Sequence, residues 1–83
     1  MKVLNSYMEN KMIVVIDAGR LTNKTQSHAY LKELFQFPEY YGNNLDAFHD
    51  CLEEMTDVEI QIENEEDAGA YFRYVKRVIE ELQ

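Results

Sequence analysis

Met12-Ile13-Val14-Val15-Ile16 is an unbroken apolar run, rich in β-branched residues and ended by Asp17-Ala18-Gly19. Such a run predicts a strand covered on both faces, at the centre of a parallel sheet. Downstream the period lengthens. Tyr30, Leu31, Leu34 and Phe35 recur at helical spacing, the polar residues 22–25 offer a cap before them, and Pro38 forbids continuation because it lacks an amide proton. Gly42, Asn43 and Asn44 tolerate unusual backbone angles, and either asparagine can cap a following helix. In that helix Leu45, Phe48, Leu52 and Met55 fall at i, i+3, i+7 and i+10, one buried stripe at about 3.6 residues per turn. Asp46, His49, Asp50 and Glu53 take the other side. Val58, Ile60 and Ile62 alternate with Glu59, Gln61 and Glu63, the period of an edge strand with one face in water. Asn64-Glu65-Glu66-Asp67 resembles a capping box, and Ala68, Phe72, Val75, Ile79 and Leu82 stripe a last helix of about 15 residues.

Strand, helix, short helix, strand, helix is an α/β order, and parallel strands joined through helices cross over right-handed. The expected architecture is a small parallel sheet of two or three strands packed with three helices. A chain of 83 residues supports a single domain over residues 1–83, because a domain this small buries only about 60% of its unfolded surface. Residues 1–11 show no clear period and read as an N-terminal arm or an extra edge strand, with Val3 and Leu4 its apolar members. At 46% hydrophobic and 29% charged residues, with 6 Tyr and 4 Phe, the chain is not a disordered acidic tail. No apolar run approaches the roughly 18 residues of a membrane span, and residues 1–11 lack the apolar stretch of a secretory signal, so a cytoplasmic location is expected. Cys51 is the lone cysteine, which requires no oxidising compartment; beside an apolar stripe it reads as core filler rather than a reactive thiolate.

Charge changes the picture more than composition does. The formal charge is -8, and from Glu33 through Phe72 there is no Lys or Arg while acids recur throughout. Such a field repels nucleic acid and anionic membranes and attracts a basic protein, although solubility alone also accounts for it. Asp46 and Asp50, at i and i+4, point the same way with His49 between them in azimuth. A solvated face, a transition-metal site built from Asp46, His49 and Asp50, and mimicry of phosphates are the readings this pattern allows. Metal binding normally needs further converging donors, and the other histidine, His28, lies on a different element. Acid–base catalysis needs burial to move a carboxylate pKa, which nothing local provides; the chain does not read as an enzyme.

The run Phe37-Pro38-Glu39-Tyr40-Tyr41-Gly42-Asn43-Asn44-Leu45-Asp46-Ala47-Phe48-His49-Asp50-Cys51-Leu52 resembles the signature of the barstar family of ribonuclease inhibitors. The resemblance implies an α/β fold, no cofactor and no metal, and tight one-to-one binding of a basic extracellular-type, barnase-like guanyl-specific ribonuclease or a related nuclease toxin. Such inhibition, of the immunity or antitoxin kind, takes place inside the producing cell. Carried over by position, Asp50 matches the acid that enters the enzyme's phosphate site, Asp46 a second acid of that helix, and Tyr40, Gly42, Asn44 and Leu45 the contacting loop. His49 stands where the family often has Trp. Glu80 is the candidate for a contacting acid on the last helix. Family members usually end in another strand, whereas this chain stops at Glu80-Glu81-Leu82-Gln83. The first strand is then an exposed edge, or it is covered by the arm Lys2-Val3-Leu4 or by a second subunit in a homodimer.

Overall fold

The computed structural model describes residues 5–8 and 11–82, with side chains from Met12 onward. Its sheet has the order β1 (Asn5–Met8), β2 (Lys11–Asp17), β3 (Val58–Glu63), with β2 at the centre. β2 and β3 run parallel, Met12 opposite Val58 through Asp17 opposite Glu63. The helices are α1 (Lys24–Phe35), α2 (Leu45–Glu54) and α3 (Phe72–Leu82). The α/β class and the parallel β2–β3 pair are as the periodicity indicates.

The far edge of β2 is occupied within the chain over Lys11–Val14. β1 pairs with it antiparallel, Asn5 opposite Val14 through Met8 opposite Lys11, so the sheet is mixed. The pairing segment is residues 5–8; Lys2, Val3 and Leu4 lie outside the described residues. The expectation that β2 is covered on both faces is corrected. Val14 and Ile16 are fully buried, whereas Ile13 and Val15 on the other face are half-buried, in register with Glu59 and Gln61. Apolar residues on both faces thus make this strand a continuous run without full cover on both sides.

The helix ends follow from local chemistry. Asn23 Oδ1 accepts from the Gln26 amide at 2.8 Å to start α1. α1 stops at Gln36, which takes a left-handed conformation (φ 58), while the Phe37 amide closes onto the Lys32 carbonyl at 3.0 Å; Pro38 follows. In α2 the stripe is as expected, with Phe48 and Leu52 buried and Leu45 and Met55 packed against the core. α3 is shorter than expected. Residues 64–67 do not cap it: Asn64 is left-handed (φ 63), makes no side-chain cap, and donates instead to Asp17 Oδ1 at 3.1 Å. Glu65–Asp67 form a separate 3-10 turn, and Ala68 turns extended (ψ 140). The reason lies in the packing of Gly69 against the β2–α1 connection, where its amide donates to the Ala18 carbonyl at 3.0 Å. A Cβ at Gly69 would sit 2.2 Å from the Leu21 carbonyl oxygen, so a helix running through this point with an ordinary residue is sterically excluded.

Gly69→Ala is therefore expected to destabilise the fold by about 1–3 kcal/mol, read as a lower urea midpoint with an unchanged m-value.

Candidate functional site

The acidic helix face and the loop before it form one surface. Asn44 builds the corner: its side-chain oxygen accepts from the Ala47 amide at 2.7 Å, capping α2, and its amide nitrogen donates to the Gly42 carbonyl at 3.1 Å. Asn43 supplies the left-handed turn residue (φ 54). Gly42 does not, contrary to the expected use of its conformational freedom. Its role is close approach, since a Cβ there would lie 3.3 Å from Ala47 Cβ and 3.3 Å from Asn44 Nδ2. Between loop and helix runs an open groove of about 560 Å³, with Pro38, Tyr40 and Gly42 on one wall and Asp50, Cys51 and Glu54 on the other.

Tyr40 is 86% exposed, an unusual state for a large aromatic. Asp46 and Asp50 are exposed, His49 is half-buried, and Leu45 is half-buried against the core. Asp46, in the first turn of α2, meets the favourable end of the helix dipole. Glu53 and Glu54 stand in the last turn, where carboxylates are unfavourable and no basic residue compensates them. Among the described residues no Lys or Arg forms an ion pair with these four acids; Asp50 meets only His49 Nδ1, at 3.9 Å, a pair that counts only when the imidazole is protonated. Lys32 pairs with Glu39 at 3.6 Å on the rim.

Tyr40, Gly42 and Asp50 are thus brought to one groove, and Asn44, Leu45, Asp46 and His49 to its α2 shoulder. Glu80 is exposed on α3 one position after buried Ile79 and does not line the groove. Glu54 does, and the sequence signal was available: it lies four residues after Asp50, on the same helix face. Burial, with Glu54 and Asp50 beside it, raises the Cys51 thiol pKa, which agrees with an unreactive filler. Of the donors considered for a metal, the structure gathers His49 and Asp50 and leaves Asp46 out; Glu53 joins them instead, with one ligand atom of each within 4.8 Å of the others. All three come from one helix, and nothing else among the described residues converges on them.

Between Tyr40 and Gly42, Tyr41 also lines the groove but is only 4% exposed, and its ring packs on Phe37 at 4.7 Å between centroids. Its hydroxyl lies 2.7 Å from Nδ1 of fully buried His28, whose Nε2 lies 2.8 Å from the Tyr71 hydroxyl. Burial raises the Tyr41 and Tyr71 hydroxyl pKa values and lowers that of His28, which Lys24 lowers further. Sequence spacing gave no sign of this cluster, because its members come from three separate segments.

Against known proteins, residues 11–81 match the family described as Barstar (barnase inhibitor). The chain is 37% identical over 76 residues, covering 84% of each chain, to the Bacillus subtilis (strain 168) protein named "Putative ribonuclease inhibitor YrdF". No solved structure matches. No described helix is long and apolar enough to cross a membrane.

Two outcomes follow from the site's construction. Asn44→Ala should cost about 1 kcal/mol of stability by removing the α2 cap, measured by thermal or urea unfolding. His28 has a folded pKa below its ordinary value of 6.5, so the unfolded chain binds the proton more readily. Its contribution to stability is complete above about pH 6.5 and is lost as pH falls toward the folded pKa. Urea titrations across that range should show the decline in the native chain and a smaller one in His28→Gln.

Proposed function

The chain belongs to the barstar family, a family of inhibitors rather than enzymes, and from that premise we propose that it inhibits a basic, barnase-like guanyl-specific ribonuclease or related nuclease toxin within the cytoplasm. α2 and the 38–44 loop enter the enzyme's active site as a one-to-one plug. The observation that carries the reading is the uncompensated carboxylate face of α2 beside an exposed tyrosine. Among the described residues no Lys or Arg pairs with Asp46, Asp50, Glu53 or Glu54, and Glu53 and Glu54 oppose the dipole of the helix they stand on. A ribonuclease active site holds phosphate with Arg, Lys or His, so it supplies the missing charges, and charge-assisted hydrogen bonds to carboxylates are among the stronger polar contacts.

Each residue then has a role. Asp50, on the groove wall, occupies the phosphate position, and Asp46 one turn earlier meets a second cation. Tyr40 supplies stiff amphipathic contact area, Gly42 lets the backbone come close, and Asn44 and Leu45 hold the corner between loop and helix. His49, where a larger aromatic often stands, gives less apolar area and adds a titratable group to the contact, which directs specificity toward a different enzyme surface. Glu80 is a peripheral contact on α3. The acidic field over the whole face speeds encounter with a cationic enzyme.

Asp50→Ala is expected to weaken inhibition of barnase, or of a cognate ribonuclease, by about 2–5 kcal/mol, a range to which the barnase–barstar pair is itself a contributing example. The unfolding free energy should stay within about 0.5 kcal/mol of the native chain, because Asp50 is exposed and has no strong partner. Inhibition constants that do not change in this variant would refute the assignment. Raising the salt concentration should slow association far more than it speeds dissociation.

A further inference from the structure

The groove wall that faces Asp50 is braced from behind by a distant part of the chain. Tyr40 and Gly42 flank Tyr41, whose hydroxyl is 2.7 Å from His28 Nδ1, and His28 Nε2 is 2.8 Å from the Tyr71 hydroxyl. Tyr71 is itself anchored, with its amide donating to the Leu21 carbonyl at 3.0 Å, next to the Gly69 bond to Ala18. We propose that Tyr71 is a positioning residue for the recognition face: through His28 it fixes Tyr41, and thereby sets the Tyr40–Gly42 wall at its working distance from Asp50. This inference rests on the reading of the groove as the nuclease-binding surface.

The physical argument is one of direction. Tyr41 packs on Phe37 at 4.7 Å, but aromatic packing lets a ring slide in its own plane at small cost. The hydrogen bond at the ring's tip removes that freedom. A neutral imidazole has one N–H and one lone pair, so His28 donates to one tyrosine and accepts from the other, and the three groups form a chain with a single sense. At 0% and 4% exposure, His28 and Tyr41 have no water to replace a lost partner, so shifting either end leaves a buried polar atom unpaired. Protonation of His28 would turn both ring nitrogens into donors, so the hydroxyl that donates would have to turn its proton away and accept, leaving that proton without its partner. The groups facing His28 are Tyr41 from the loop, Tyr71 ahead of α3 and Lys24 from its own helix, with Cys51 of α2 beside Tyr41. These are two phenols, an ammonium and a thiol, and among the described residues no carboxylate faces His28 to stabilise an imidazolium.

Tyr71→Phe removes one hydroxyl and keeps the ring, and amide hydrogen exchange in the free protein tests it without any partner. The Tyr41 amide, which donates to the Pro38 carbonyl at 2.9 Å, should lose about five- to thirtyfold of its protection, while Val75 and Ile79 in α3 change by less than about twofold. Unchanged protection at Tyr41, or an equal loss along the whole chain, overturns the proposal. In His28→Gln the loop should lose the same protection and also the decline with falling pH that the native chain shows below about pH 6.5; a decline identical to the native one counts against it. Inhibition of purified barnase separates this inference from the reading beneath it. If Asp50→Ala weakens inhibition and Tyr71→Phe leaves it within about twofold, the brace is refuted and the plug stands. If Tyr71→Phe loosens the loop while Asp50→Ala inhibits undiminished, the plug is refuted and the brace stands.

Discussion

The structure turns on the burial of Phe48. Its side chain is fully enclosed, edge-on to Phe35 at 6.0 Å and to Phe37 at 6.2 Å, and those two rings stack at 5.2 Å with Tyr41 against Phe37. The four rings come from the end of α1, the loop and α2, so one aromatic cluster holds three segments. Edge-on and offset contacts of this kind add about 0.5–1.5 kcal/mol per pair beyond the area they bury. Because α2 must turn Phe48 and Leu52 inward, its remaining residues have no choice of direction. The carboxylates are presented outward as a consequence of what the helix buries.

That presentation carries an electrostatic cost that the fold leaves in place. Acids cluster toward the C-terminal end of α2, where the helix dipole disfavours them, and no lysine or arginine among the described residues answers. Each unfavourable contact is worth a few tenths of a kcal/mol at an exposed site, tolerable for a packed domain. A surface built for stability alone would intersperse charges of both signs. An uncompensated face is instead suited to a partner that brings the opposite charge.

The interior solves the polar problem differently. His28 is enclosed with no charge partner, kept neutral by burial and bonded at both ring nitrogens to tyrosine hydroxyls. A neutral, fully hydrogen-bonded imidazole fixes geometry at less desolvation cost than a buried ion pair. Charge is thus left on the exposed face of α2, while the buried polar groups behind the loop are neutral and paired with one another.

Local information was enough for much of this. The alternation of Val58, Ile60 and Ile62, the stripe Leu45, Phe48, Leu52 and Met55, the stop at Pro38 and the absence of cations from Glu33 through Phe72 belong to the sequence itself, since side-chain period and net charge need no tertiary partner. The spacing of Asp46 and Asp50 likewise put both carboxylates on the exposed side of α2. Tertiary structure decided what depends on distant contacts: β1 pairing with β2, the late start of α3 where Gly69 meets Leu21, and Asn64 bonding Asp17 rather than capping a helix. It also decided the meeting of Tyr41, His28 and Tyr71. No periodicity encodes such a meeting, because a hydrogen bond between three segments exists only once packing has brought them together.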